Sequence, residues 1–454
     1  MRFRDIENAT TRGREDFAPP VFFALLFHRV CLLGFISLCA AVRFYLAIGL
    51  RRVCQNSASR QTLLAIQIRN AANAAGGAWI KVAQILATRH DLLEPEAISI
   101  LSELQDKLPS VPFRQVGGII DRSVRSSGMD IQAIDKVPLA TGSVAQIYRA
   151  TSRTRGQIVL KVKKPGIERQ IELDLTIARK IALLLSKVPA FRDLPVVETV
   201  DDVCRAVQRQ TDFDLEAFNT NKFQLLFSTS NQIRFAKVHG ELSSSDVIVM
   251  DFEDELLRLD DIRVSMDVHR KIVENALIAI YEMIFFHGLI HCDIHPGNLC
   301  YRKSGEIFFL DCGLVTAINA TDREDFLEFF LCIALNRGQR AAEIVLRKAI
   351  RVTDQLDRVG FERETAALIS SVCGLTAGEF SVAGFLVSMF AIQRKFGVVG
   401  TPAFTWMAVV LLIFEGVVRG KHPQIDFQDI AFNLIIRRRA GAVAVDGAAP
   451  SSSH

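Results

Sequence analysis

The chain has 454 residues, enough for one large domain or two lobes with a sizeable core. Half of its residues are hydrophobic, only 23% are charged and the net charge is +4, with no basic stripe interleaved with aromatics, so nucleic acid is not expected as a partner. Its nine cysteines are scattered, odd in number and without a CxxC pair, which argues against a disulfide framework or zinc site and for a reducing compartment.

Residues 1 to about 19 are polar and expected to be poorly ordered. Val21 to Leu50 is strongly apolar, interrupted by His28, Arg29 and Arg43. Its longest uncharged run, Val30 to Val42, is shorter than the roughly 20 residues that span a bilayer. Arg51 and Arg52 behind it suit a cytoplasmic membrane face. Two readings stay open: a helix packed on the body of the protein, or an interfacial, weakly inserted membrane helix. No small-residue cleavage pattern follows, so no cleavable signal peptide is expected.

A helical region is expected from Gln61 to about Asp106, broken at Pro109 and Pro112, and another helix over Phe113 to Ser126. Ile147 to Ala150 and Gln157 to Lys163 read as strands around a polar turn, with further short strands at Val247 to Phe252 and Ile307 to Leu310. From Asp267 the pattern is mostly helical. It ends in an apolar run, Ala403 to Val418, whose length and Glu415 favour a buried core helix over a membrane span. The Ala, Gly, Ser and Pro tail after Arg439 is expected to be disordered. The expected fold class is α+β, a two-lobed kinase-like architecture with a helical amino-terminal extension and a mostly helical carboxy-terminal lobe. The expected divisions are 1–55 (tail and candidate membrane-associated helix), 56–136 (helical extension), 137–255 (first lobe), 256–438 (second lobe) and 439–454 (tail).

The strongest chemical signal is His291-Cys292-Asp293-Ile294-His295-Pro296-Gly297-Asn298, followed by Leu310-Asp311-Cys312-Gly313. Asp293 and Asn298 have the five-residue spacing of a kinase catalytic loop, and Asp311 supplies the later Asp-x-Gly after an expected hairpin (Leu299 to Tyr301, then Ile307 to Leu310). Hard divalent cations take carboxylate and amide oxygens, which Asn298 and Asp311 can supply. Asp293 can orient or deprotonate an acceptor hydroxyl or water, and Gly313 permits a sharp turn. A second signal is Lys161, ending the apolar strand Ile158-Val159-Leu160, with Glu216 downstream, as in the kinase pair that orients phosphates. A third is Ala140-Thr141-Gly142-Ser143-Val144-Ala145-Gln146, whose small residues let backbone amides approach phosphates. It has one glycine where a kinase loop has three, and small residues also mark tight packing.

These residues resemble the UbiB family of atypical kinases, also called the AarF-domain family, over roughly residues 60 to 430. Lys81-Val82-Ala83-Gln84 resembles its KxGQ motif, continued by Thr88 to Leu93 and Leu104-Gln105-Asp106. Ala140 to Gln146 resembles the alanine-rich loop that replaces the glycine-rich loop. Lys161 to Gly166, Asp212 to Ala217 and Asp293 to Asn298 are similar to the strand-lysine, helix-glutamate and DPHPGN segments. The resemblance implies ATP and Mg2+ as cofactors, with Asp293 and Lys161 catalytic and Asn298 and Asp311 as metal ligands. It implies Ala140, Thr141, Gly142, Ser143, Val144, Ala145, Lys161, Glu216, Met250 and Phe252 at the nucleotide, and Lys81, Gln84, Gln210 and Asp212 as extension and regulatory residues. It further implies an isoprenoid lipid or quinone intermediate, a membrane surface and a biosynthetic protein complex as partners. A non-hydrolysing nucleotide-binding scaffold and a small-molecule phosphotransferase are the alternatives. Four positions depart from the family pattern: Ala83 for Gly, Gln210 for the Glu of ExD, Ile294 for Pro and Cys312 for Phe.

Overall fold

The computed structural model describes residues 19–54, 59–87, 95–105, 110–187, 196–295, 297–375, 379–419 and 421–446. The expectations for residues 1–18 and for the end of the tail, 447–454, lie outside the described residues.

Helices α1 (Pro19–Cys54), α2 (Arg60–Ala75), α3 (Gly77–Ala87) and α4 (Pro95–Ser102) are followed by α5 (Phe113–Ser127). Strands β1 (Ile131–Ile134), β2 (Ala140–Thr141), β3 (Ala145–Ser152) and β4 (Gly156–Lys163) come next. Then come α6 (Ile167–Leu185), α7 (Val196–Arg209), α8 (Phe213–Leu226), β5 (Ile233–Phe235), β6 (Val247–Asp251) and β7 (Leu257–Arg258). Beyond α9 (Met266–Glu282) lie β8 (Leu289–His291), β9 (Leu299–Tyr301), β10 (Ile307–Phe309) and β11 (Val315–Ala317). The remaining helices are α10 (Ala320–Ala334), α11 (Gly338–Arg347), α12 (Arg358–Val372), α13 (Val382–Lys395), α14 (Pro402–Arg419) and α15 (Phe427–Asp446).

Packing divides the chain into two units. The first comprises Met1–Ala87, Glu94–Leu104 and Gly166–Gln208, and its elements among the described residues are helices. In it α2 starts where the Ser59 side chain accepts the Thr62 amide at 3.0 Å, and it stops at Gly76, whose φ of 70° suits glycine. The turn into α3 lies tight against α6: a Cβ at Gly77 would sit 3.1 Å from Gln170 Nε2 and 3.3 Å from Asp174 Oδ2. Gln170 Nε2 and the guanidinium of Arg29 both donate to the Ala75 carbonyl (2.9 and 2.7 Å), and Arg29 is paired with Asp174 at 2.7 Å. Leu26 of α1 packs with Leu173 and Ile177 of α6. The 36-residue α1 contains one stretch, Leu25–Gly49, long and apolar enough to cross a membrane, with a mean hydropathy of 2.1.

The second unit comprises Thr88–Leu93, Gln105–Pro165 and Arg209–His454. Its first sheet has the order β1-β3-β4-β6, antiparallel, with β2 on β3. The two-residue period of β4 turns Ile158, Leu160 and Val162 toward Val116 and Ile120 of α5 and leaves Lys161 on the opposite face. Val116, Ile120 and Ser123 are buried at helical spacing, which is why α5 packs there. A second sheet, β5-β10-β9-β7, holds the expected hairpin, with Ile307 opposite Tyr301, and β8 pairs with β11.

The helical part of this unit closes around Phe329, Ile333, Ile344, Phe361, Ile369 and Phe385. Helix α14 is a core helix, as expected. Met407, Val410 and Phe414 are buried, and Glu415 accepts the Val382 amide at 3.0 Å while pairing with Arg419 at 2.9 Å. Helix α15 continues past Arg439 through alanine-rich residues to Asp446, so the described part of the expected tail is helical.

Candidate active site

The site is assembled from four elements of the second unit. Helix α8 begins at Asp212, whose Oδ1 accepts the Leu215 amide at 2.9 Å while its carbonyl receives the Glu216 amide at 3.0 Å. That cap aims the first turn so that Glu216 points inward, and Thr220 Oγ1 ties the next turn to the Glu216 carbonyl at 2.8 Å. Strand β4 brings Lys161 to meet it: Nζ lies 2.5 Å from Glu216 Oε1 and 2.8 Å from Asp311 Oδ2. The Lys161 and Glu216 side chains are only 10% and 4% exposed, whereas Asp311 is 38% exposed and opens the cluster to solvent. Burial alone would lower the Lys161 pKa. The charges of Asp311 and Glu216 outweigh that cost and hold its pKa above the ordinary lysine range.

The loop after β8 carries the second half. His291 is fully buried, donates through Nε2 to the Asp311 carbonyl and accepts the Asp293 amide on Nδ1 at 3.1 Å. Burial keeps its imidazole below the ordinary range, against the opposing charges of Asp293 and Asp311. A neutral ring with the proton on Nε2 satisfies both contacts. Asn298 Nδ2 donates to the Asp293 carbonyl at 2.9 Å, which leaves the amide oxygen outside that bond. Asp311 Oδ1 accepts the Gly313 amide at 2.9 Å, and a Cβ at Gly313 would fall 3.1 Å from that oxygen and 3.5 Å from Glu216 Oε2. Glycine is therefore what lets the turn fold over the carboxylates. Cys312, between them, is buried against Thr220, and burial pushes its thiol well above the usual range.

Asn298 and Asp311 offer hard oxygens of the kind Mg2+ takes. Among the described residues no three His, Cys, Asp or Glu side chains cluster as an all-protein metal cage. A cation held by one or two side chains, with water and phosphate oxygens completing its shell, needs no such cage.

The other sequence-derived residues fall as follows. Ala140 and Thr141 form β2, Gly142 donates to the Ala145 carbonyl at 2.8 Å in a tight turn, and Ser143, Val144 and Ala145 are buried. Met250 is buried on β6 opposite Val159, and Phe252 lies beneath the Arg149 guanidinium at 4.2 Å. Gln210 Oε1 is buried without a hydrogen-bond partner among the described residues, and Asp212 is the cap of α8. Lys81 is half-buried on α3 in the first unit, and the Gln84 side chain lies outside the described residues. Sequence reasoning missed His291 as a positioning group and Gln146 as the link to Val111, whose amide it accepts at 2.9 Å. The available signal for His291 was a polar side chain ending an apolar strand two residues before Asp293.

Comparison with known proteins identifies the family. Residues 103–345, more than half of the chain, match the ABC1 atypical kinase-like domain. The chain is similar to an uncharacterized protein of Synechocystis sp., with 26% identity covering 70% of this chain and 81% of the relative. It is also similar to the probable protein kinases UbiB of Shewanella denitrificans (27% identity, 78% of this chain, 66% of the relative) and Vibrio vulnificus (26%, 80% and 69%). It thus spans a little under two thirds of the Shewanella protein's length. The solved structure of the Mycobacterium tuberculosis Rv3197–erythromycin complex is similar at 15% identity and a TM-score of 0.48, covering 77% of this chain and 93% of that one. The chain belongs to the ABC1 atypical kinase-like family, the UbiB group of kinase-like proteins, and has its α+β two-lobed fold.

Proposed function

We propose that the chain binds ATP with Mg2+ and acts as a membrane-associated atypical kinase or ATPase supporting isoprenoid-quinone or related lipid or secondary-metabolite biosynthesis. The observation that carries this reading is Lys161 held between Glu216 and Asp311, with Asn298 and Asp293 fixed by the adjoining loop. In this reading Lys161, kept charged, takes the α- and β-phosphates, and Glu216 keeps its chain extended toward them. Asn298 Oδ1 and the Asp311 carboxylate would hold the cation, whose charge would offset that of the phosphates when bound. Asp293 orients the attacking hydroxyl or water, and His291 holds the Asp293 and Asp311 loops in register from behind. The turn from Ala140 to Ala145 covers the phosphates, and Met250 and Phe252 border the base. Lys81, Gln84, Gln210 and Asp212 are proposed to regulate the site. In this reading the protein works at the cytoplasmic side of a membrane, where it meets its lipid and a biosynthetic complex; the apolar run of α1 and the Arg51 and Arg52 that follow it in the sequence support this.

The test is nucleotide turnover by the full chain in lipid vesicles, with and without Mg2+ and a polyprenylated quinone precursor. Magnesium-dependent hydrolysis or transfer is expected. Binding without turnover supports the scaffold alternative, and an absence of magnesium-dependent nucleotide binding overturns the reading.

A further inference from the structure

Helix α1 is apolar all round, which a helix free in water does not tolerate. Its two sides meet different surroundings. On one side Leu26 and Arg29 are buried, and Leu33, Ile36, Ala40, Phe44 and Ala47 are half-buried at helical spacing, where α1 packs along α2 and against α6. Arg29 pins this side: it pairs with Asp174 of α6 and donates to the Ala75 carbonyl ending α2. On the opposite side Phe27, Phe35, Leu38, Tyr45 and Leu46 are each between 60% and 72% exposed, in one stripe along the helix.

A helix that crosses a bilayer is surrounded by lipid through the whole hydrocarbon core, about 30 Å. Helix α1 has the length for that, but its inner side packs on protein along the same residues: Leu26 and Arg29 are buried, and the inner positions from Leu33 to Ala47 are half-buried. Carrying that length across would take the polar and charged side chains of α2, such as Gln61, Arg69 and Asn70, into hydrocarbon with it. We infer that α1 does not span the membrane. It lies along one leaflet, with the Phe27–Phe35–Leu38–Tyr45–Leu46 stripe in the acyl region and α2 and α6 behind it on the water side. The occupant of the stripe is a lipid bilayer. The exposed Arg43 on the flank of the stripe can reach phosphate headgroups with its stem along the apolar surface. Such docking inserts a helix only about 5–10 Å, so every residue of the stripe sits at one shallow depth.

This inference rests on the membrane part of the proposed function, and depth separates the two. Phe27→Trp, Leu38→Trp, Leu46→Trp and, for the inner side, Ile36→Trp are made singly in the full chain. Each is reconstituted with phosphatidylcholine–phosphatidylglycerol vesicles whose lipids carry bromine either near the headgroup or near the methyl end. Wild-type quenching through Trp79 and Trp406 is subtracted. The three stripe variants are expected to lose similar fractions of fluorescence, at least about twofold more with bromine near the headgroup, and Ile36→Trp to lose little. Deep quenching of Leu38→Trp with shallow quenching at Phe27 and Leu46 would mean a crossing helix and overturn the inference, while the membrane reading stood. Floating vesicle-bound protein with an unquenched stripe would mean that a second copy or another protein covers it, which overturns the inference too. Failure of the wild-type chain to float with vesicles removes the membrane reading itself. Leu38→Ser serves where a Trp variant folds poorly: a several-fold loss of vesicle binding is expected, and unchanged binding counts against the stripe.

Discussion

Each of the two units buries a cation against carboxylate, and the two pairs are built for opposite ends. In the first unit Arg29 meets a single carboxylate, Asp174, with side chains only 10% and 1% exposed. Burial there raises the Asp174 pKa despite the neighbouring guanidinium, so desolvation outweighs attraction. In the second unit Lys161 meets two carboxylates, one of them at the solvent edge, and its charge is strengthened instead. A sealed one-to-one pair works as a lock whose value is geometric. An open one-to-two cluster holds a charged lysine with one of its carboxylates, Asp311, at the solvent edge.

The largest effect should come from breaking the lock. Arg29→Ala leaves Asp174 buried without its cation and should cost about 3–5 kcal/mol, seen as a lower denaturation midpoint of the full chain in detergent. Arg29→Met with Asp174→Leu removes both charges and should restore most of that loss. A double variant as weak as Arg29→Ala would mean that the pair supplies attraction and not only position.

At the open cluster, Asp311→Asn removes a charged hard-oxygen ligand while keeping the shape. Magnesium-ATP affinity by calorimetry should fall tenfold or more, about 1.4 kcal/mol, with the fold intact. An unchanged affinity would remove the metal role and make the two pairs alike. Asp212→Ala deletes the cap that aims Glu216 and should cost about 1 kcal/mol of stability together with a drop in nucleotide affinity, whereas Asp212→Asn should retain both. If Asp212→Ala instead changed turnover without touching stability, its role would be regulatory, as the family pattern implied.

The smallest effect is a slope with pH. Burial holds His269, His287, His291 and His422 below the ordinary imidazole range. The unfolded chain therefore binds more protons as pH falls, and the stability these rings contribute is present above about 6.5 and lost on acidification below it. The denaturation midpoint should fall between pH 7 and pH 5. His291→Asn, which can donate and accept in place of the ring, should make the fall shallower; an unaltered slope would mean that the loops behind Asp293 and Asp311 do not depend on a neutral His291.

Much of the second unit was legible because its signals are local. Strand alternation identified β3 and β4, and the hairpin between Asn298 and Asp311 follows from two short apolar runs around a turn. The five-residue step from Asp293 to Asn298 placed both on one loop. Asp212 was grouped by resemblance with the extension and regulatory residues; that its side chain caps the first turn of α8, satisfying the orphan backbone amide three residues on, becomes visible only once the helix start is placed. His291 was passed over because nothing in its neighbourhood reveals that a carbonyl 20 residues later would meet its ring.

By itself, then, the sequence determined which residue types lie on which strand, loop or helix, since periodicity, caps and turn residues act over a few positions. Only the tertiary structure decided that Lys161 meets Asp311 across 150 residues, and that Arg29, which looked like an interruption in an apolar helix, faces Asp174 across 145. A charge's partner depends on how distant elements pack, and burial, which sets its pKa and its cost, exists only once they have.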